Sequence, residues 1–356
     1  MIVLPHTCVL YLGLICGALF LSSCKDNRNG DCLNNLKEVQ NQTQTDFELS
    51  CYNDLATALG RLDAGVDLNT PLENGRYPLT CAIYLKSPKL VTMLLEMGAD
   101  PNKGSLYGSS LLCDCIVLGS SAQGMSDVSI ETFDAKCLQI IEILCKHGLN
   151  INAKYQGGTP ALFEVLNTGS YEVFSFLLGQ GFDVNMTDMF GNTVLHYLSA
   201  LGKIDLFDPI LKQGANVNIK NDAGLTPAFI LAKNDAWDGI KKLEESGIRW
   251  DTLNNEGDNL LIYATKNSAI TILEELLKRN INPDHVNNLG QTAAICASIR
   301  NDVDVLRLLI DANASLKILD KDQQGVITYA MENKSVEIIT LLKKKKLFPH
   351  IIGTDE

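Results

Sequence analysis

The stretch GNTVLHYLSALGKIDLFDPILKQGANVNIKNDA, residues 191–223, is followed at Gly224 by a second stretch built on the same pattern. The same spacing leads on to Gly257 and Gly290, so the chain has a period of about 33 residues. Glycines mark earlier copies at residues 75, 108 and 157, and one further period after Gly290 reaches Gln323, where the pattern persists. Only the step from Gly108 to Gly157 is much longer than the others. Eight copies in one register cannot arise by chance, so the chain is a repeat array.

Each copy predicts a polar tip, a short helix, a second helix and a turn. Thr159 and Thr226 can cap first helices whose first turns take Pro160 and Pro227, where a missing N–H costs nothing. Paired apolar residues predict the buried stripe of the second helices: Leu94-Leu95, Leu177-Leu178, Ile210-Leu211, Leu276-Leu277 and Leu309-Ile310.

One such helix pair cannot bury its apolar stripe alone, so neighbouring units must stack. The units at the two ends then need polar outer faces. At the carboxyl end, Lys343, Lys344, Lys345 and Lys346 follow the last predicted helix, where cations meet its negative dipole end.

These units resemble the ankyrin repeat family. The openings Thr159-Pro160-Ala161, GNTVLH (191–196) and GLTPA (224–228) are similar to the family's T-P-L-H-x-A motif, and the turns MGADPN (97–102), QGFDVN (180–185), QGANVN (213–218) and RNINPD (279–284) fit its unit end. The resemblance implies an all-α ankyrin-repeat solenoid of about eight to nine units over residues 47–347, with residues 50–69 as a degenerate first unit and 348–356 as a tail. The insertion near 119–134 falls between the two helices of one unit, as a tolerated surface loop or a second docking site.

Residues 1–23 carry no Lys, Arg, Asp or Glu, and the apolar run Val9–Leu21 has the length of a secretory signal core. It ends in Leu21-Ser22-Ser23-Cys24, which resembles the bacterial lipobox and implies cleavage before Cys24 and a lipid on that residue. An uncleaved membrane anchor and an ordinary cleaved signal remain alternatives. Residues 24–46 are polar and predict a tether. In lipoproteins of this type the residue after the lipidated Cys influences sorting, so the resemblance implies that Lys25, in place of Asp, directs the chain to the outer membrane, facing the periplasm. Secretion and inner-membrane anchoring are the alternatives.

Composition and motifs argue against several functions. The chain has 42 Asp+Glu against 30 Lys+Arg, a net charge of −12, which argues against nucleic acid as a partner. No HExxH, GxSxG, GxxxxGK[ST] or paired CxxC motif occurs, so we expect no catalysis, cofactor, metal or small-molecule substrate. His196 occupies the family's His position, for which the resemblance implies a structural hydrogen bond within the turn.

The 11 cysteines include Cys8, Cys16 and Cys24 in the amino-terminal segment, which leaves eight. Cys32 and Cys51 flank the tether and could staple it. Cys81 and Cys296 lie at a position that we expect to be core, filled elsewhere by Phe163, Tyr197, Ile230, Tyr263 and Tyr329. Cys113 with Cys115, and Cys137 with Cys145, lack metal-site spacing, so buried thiols are favoured and disulfides are left open.

Apolar residues lie at the predicted tips, where solvent is expected: Tyr107, Tyr155, Met189, Phe190, Leu225 and Leu289. In ankyrin proteins the tips and inner helices form the binding surface, so the resemblance implies that these residues contact a partner protein; packing of tip against tip is the alternative. We therefore expect protein–protein interaction at the cell envelope. An immunity-type inhibitor of a toxin or enzyme, and a structural envelope lipoprotein without a tight partner, are the alternatives.

Overall fold

The computed structural model describes residues 67–72, 75–104, 110–120, 135–154, 158–168, 171–279 and 281–345. Within these ranges the secondary structure is helical, with only a single β-bridge between Lys154 and Pro160. The chain divides into two compact halves, Met1–Phe182 and Asp183–Glu356. The predicted all-α class is confirmed.

The described part of the first half contains three helix pairs. They are α1 (Pro78–Tyr84) with α2 (Pro88–Glu96), α3 (Leu111–Ser120) with α4 (Ala135–Lys146), and α5 (Ala161–Thr168) with α6 (Tyr171–Gly179). The first helices α1, α3 and α5 pack in series, and α2 packs on α4. Residues 121–134 between α3 and α4, which hold most of the predicted insertion, lie outside the described residues.

The second half repeats this plan five times. Its pairs are α7 (Val194–Leu201) with α8 (Phe207–Lys212), α9 (Pro227–Lys233) with α10 (Trp237–Glu245), α11 (Leu260–Lys266) with α12 (Ile270–Lys278), α13 (Ala293–Ile299) with α14 (Val303–Asp311), and α15 (Val326–Glu332) with α16 (Val336–Lys344). A 3-10 turn, Ile204–Leu206, precedes α8. The first helices pack in series from α7 to α15, and α12, α14 and α16 do the same.

The core follows the apolar pairs that the sequence predicts. The first member of each pair is fully buried: Leu94, Leu177, Ile210, Leu276 and Leu309. Thr226 is the N-cap of α9 with Pro227 in its first turn, but the Thr226 side chain makes no capping hydrogen bond. Helix α5 begins at Ala161, so Pro160 lies just before it rather than in its first turn.

Asparagines join the turns of neighbouring units. Asn185 donates from Nδ2 to the carbonyl of Gly214 at 3.0 Å and accepts the N–H of Asn216 at 2.7 Å. In the first half Asn102 makes the same two bonds, to Gly148 at 3.0 Å and from Asn150 at 2.6 Å. The bonds of Asn102 bridge the insertion, so the stacking of units continues across it.

Both tryptophans of the chain lie beside one arginine. The guanidinium carbon of Arg279 lies 4.6 Å from the ring centroid of Trp237 and 5.6 Å from that of Trp250. Arg279 also pairs with Glu244 at 3.0 Å and with Glu275 at 3.3 Å. Cation–π contacts and ion pairs thus join residues of successive units.

Candidate functional site

Five tight turns, which we call fingers, precede the first helix of each unit in the second half. They start at Asp188, Asn221, Asn254, Asn287 and Asp320, each one period after the previous one. In the first finger, Oδ1 of Asp188 accepts the N–H groups of Phe190 at 2.9 Å and Asn192 at 2.8 Å. The other four fingers repeat this pair of bonds. An Asp or Asn side chain closing its own turn is a rigid local structure.

Glycine occupies the same position in four of the five fingers, and Gly257 shows two reasons for it. Gly257 has a φ of +77°, which L side chains rarely adopt. A Cβ at Gly257 would also lie 2.8 Å from the backbone nitrogen of Asn288 in the next finger. The last described finger carries Gln323 at this position, with a φ of +59°.

Backbone hydrogen bonds connect each finger to the next. The N–H of Asp222 donates to the carbonyl of Phe190 at 2.9 Å, and the N–H of Lys321 donates to that of Leu289 at 3.0 Å. The two intervening fingers are joined in the same way. The second half therefore presents its fingers as one row with fixed spacing.

Three of the residues predicted to contact a partner are exposed on this row. Met189 is 61% exposed, Phe190 49% and Leu289 58%. Leu225 is only half-exposed, and its carbonyl accepts a hydrogen bond from His196. Tyr107 and Tyr155 lie outside the described residues.

Two exposed residues of the row escaped the sequence analysis, namely Val286 at 45% and Leu319 at 51%. They precede successive fingers and lie one period apart. Two apolar residues at the same position of neighbouring units were therefore the sequence signal that could have revealed them. We call Met189 with Phe190 the first tip patch, and Val286, Leu289 and Leu319 the second tip patch. Two fingers with polar or small tips, Asp222-Ala223 and Asn255-Glu256, lie between the patches.

His196 is a structural residue in the first turn of α7, the helix that follows the first finger. Its Nδ1 accepts the N–H of Thr193 at 3.0 Å, so Nε2 carries the proton and donates to the carbonyl of Leu225 at 3.0 Å. Burial lowers the pKa of His196, against smaller opposing effects of its hydrogen bonds and Asp188. The neutral ring therefore ties one finger to the next.

A buried carboxylate braces the third finger. The side chain of Asp258 is fully buried and lies 2.7 Å from Nζ of Lys266 on α11. Asn287 of the next finger donates to Asp258 at 2.9 Å. Burial alone would lower the pKa of Lys266, but its hydrogen bonds to Asp258 and Glu256 outweigh burial and raise it. These groups satisfy one another, so their arrangement is that of a structural brace.

The position of Cys81 and Cys296 is less uniform than predicted. Both cysteines and Phe163 are buried, whereas the other members are half-buried: Tyr197, Ile230, Tyr263 and Tyr329. For two of them the reason is polar: the Tyr197 hydroxyl donates to Asp188 at 3.0 Å, and the Tyr329 hydroxyl donates to Asp320 at 2.6 Å. Each of these two tyrosines thus reaches out to its own finger.

The remaining thiols are mostly enclosed. Cys113, Cys115 and Cys137 are buried, and Cys145 is half-buried. Burial raises the pKa of Cys145 to about 11 and that of Cys115 well above its usual range. Cys24, Cys32 and Cys51 lie outside the described residues. Among the residues that are described, no group of three or more His, Cys, Asp or Glu side chains could hold a metal ion.

Stacked helix pairs with a row of rigid fingers define a repeat protein that presents an extended surface. Models of the ankyrin repeat family match residues 74–105, 195–287 and 261–351. These matches span more than half of the chain, and the chain belongs to the ankyrin repeat family. Ankyrin repeats imply protein–protein interaction, and no catalytic family matches.

A search of curated proteins found no match. Among solved structures, the ankyrin repeat protein EF0377 is 23% identical to this chain, with a TM-score of 0.48. The match covers 54% of this chain and 99% of EF0377. Among the helices of the described residues, which begin at residue 67, none is long and apolar enough to cross a membrane.

Proposed function

We propose that this chain is an exported, lipid-anchored ankyrin-repeat protein that binds a partner protein at the cell envelope and has no catalytic activity of its own. The observation that carries the binding role is the exposure of five large apolar side chains along the finger row. Solvent-facing apolar groups on a rigid surface are the usual anchors of protein interfaces.

The fingers suit this role because they are preformed. Each is closed by its own Asp or Asn and joined by backbone bonds to its neighbour. A surface that is already ordered loses little conformational entropy when a partner binds. The anchors therefore contribute their apolar burial to affinity without a large ordering cost.

The location rests on the sequence of the amino terminus. Leu21-Ser22-Ser23-Cys24 resembles a lipobox, and Cys24 would carry the lipid. Replacing Cys24 with Ala should move the protein from the membrane fraction to the soluble fraction, while Cys32→Ala, the matched control, should leave it in place. A Cys24→Ala variant that stays in the membrane would contradict lipidation and favour an uncleaved anchor.

Crosslinking in whole cells tests the binding role. A tagged chain is compared with Met189→Ser/Phe190→Ser, with Val286→Ser/Leu319→Ser and with the control Met97→Ser, an exposed apolar residue that follows α2. We expect one dominant captured protein that is lost in a tip variant and kept in the control. Capture of a diffuse envelope background, equal in all variants, would favour the structural alternative.

A further inference from the structure

The last described unit exposes apolar groups at positions that are more buried in the units before it. Met331 is 50% exposed, while the residues one to four periods before it are fully buried: Ser298, Thr265, Ala232 and Ser199. Ile339 is half-buried, whereas Leu306, Leu273 and Ile240 at its position are fully buried. Val336, at the start of α16, is 75% exposed, whereas Val303, Ile270 and Trp237 at its position are half-buried.

These positions face along the stack toward a following unit. Ser298 shows this directly, because its hydroxyl donates to the carbonyl of Val326 in the next unit at 2.7 Å. Met331, Val336 and Ile339 therefore form an apolar end face on the last described unit. A terminal unit of a solenoid requires a polar outer face. Lys343 and Lys344, in the last turn of α16, agree with that expectation, whereas the exposed apolar side chains of Met331 and Val336 do not.

The last described finger differs from the others at its glycine position. Where Gly224 and Gly257 leave no room for a Cβ beside the next finger, Gln323 carries a full side chain, also at a positive φ. A following finger could not approach this side chain as closely as the described fingers approach one another.

The segment that follows α16 is apolar enough to cover the end face. Directly after the lysines it reads Leu347-Phe348-Pro349-His350-Ile351-Ile352, apolar except for the histidine and outside the described residues. We propose that residues 347–352 pack on the end face formed by Met331, Val336 and Ile339.

The geometry allows this contact. Helix α16 runs from Val336 to Lys344, so its two ends are about 12 Å apart at ~1.5 Å per residue. The six residues 347–352, if extended, would span about 20 Å at ~3.3 Å per residue. The segment can therefore fold back along the whole of α16, and its attachment to that helix gives it a high effective concentration.

A double-mutant cycle on the full chain tests the proposal. One variant replaces Phe348, Ile351 and Ile352 with Ser, a second carries Met331→Ser/Val336→Ser, and a third combines both sets. Each set alone should lower the melting temperature by about 2–4 °C, and the end-face set should shift it by less than about 1 °C once the segment is already replaced. Met97→Ser serves as the control for loss of an exposed apolar side chain and should be additive with the segment set.

Two results would overturn the proposal. Fully additive melting shifts would show that the segment and the end face do not touch. A concentration-dependent dimer in sedimentation experiments, abolished by Met331→Ser/Val336→Ser but unaffected by the segment set, would show that a second copy covers the end face instead. Coupled shifts in a monomeric chain are the expected result.

Discussion

Replacing Gly257 with Ala should destabilise the second half by about 2 to 3 kcal/mol, the sum of a backbone cost and a lost hydrogen bond. The left-handed backbone of Gly257, with a φ of +77°, costs an L residue about 1 kcal/mol. The added Cβ would lie 2.8 Å from the nitrogen of Asn288, which must move. This movement breaks the bond from the Asn288 N–H to the carbonyl of Glu256, now 2.9 Å long, at about 1 kcal/mol or somewhat more.

Gly214→Ala is the matched control for this change. Gly214 has a similar φ of +84°, but no neighbouring atom lies within 4 Å of the position that a Cβ would take. It should therefore show only the backbone cost of about 1 kcal/mol. A second control, Gln323→Gly, should stabilise the chain slightly, because it removes an L residue from a positive φ of 59°.

Urea unfolding followed by tryptophan fluorescence is the appropriate assay, since Trp237 and Trp250 lie in the unit before the finger that contains Gly257. Their contact with Arg279 makes the emission sensitive to loss of stacking between units. If Gly257→Ala is no more destabilising than Gly214→Ala, the close approach of successive fingers does not contribute to stability and the reasoning is refuted.

Three further predictions concern buried polar groups. Because the pKa of His196 is lowered in the folded chain, its contribution to stability is present above the unfolded pKa and is lost as the pH falls through the folded pKa. The urea midpoint of the wild type should therefore fall between pH 7.5 and 5, and it should fall less in His196→Gln. An equal dependence on pH in both proteins would contradict this. Asp258→Ala should lower the free energy of unfolding by about 2 kcal/mol, because it leaves Lys266 without its buried partner. Replacing the exposed Glu256 with Ala should lower it by about 0.5 kcal/mol or less in the same assay, and equal losses would be inconsistent with a structural brace. Burial raises the pKa of Cys296 to about 12, so the thiol of the folded chain should not react with iodoacetamide at pH 8. Peptide mapping should show modification of Cys296 only when urea is present. Rapid labelling of Cys296 in the native chain would disprove its enclosure.

The repeat period predicted the helix pairs and the buried stripes well, because apolar side chains such as Leu276 and Leu309 are enclosed within their own unit and its neighbour. The exposure of Met189, Phe190 and Leu289 also agreed with their tip positions. Position within a unit was less informative where burial depends on the next unit. Met331 has the same register as the buried Ser298, and only the stack shows that one is covered and the other is not.

The tyrosines illustrate a second limit. Cys296 and Tyr329 share a position, but the hydroxyl of Tyr329 reaches Asp320, so the ring stays partly in solvent. A pattern of apolar letters cannot separate a side chain that fills a core from one that also needs a polar partner.

The bonds of Asn102 to Gly148 and Asn150 have a practical consequence for engineering this protein. They show that the long detour of the chain between α3 and α4 leaves the link between adjacent turns intact. The length of the segment between α3 and α4 can therefore change without altering the spacing of the neighbouring units. A fluorescent tag or affinity epitope placed between α3 and α4 should report on the protein without breaking the link between the turns that Asn102 joins.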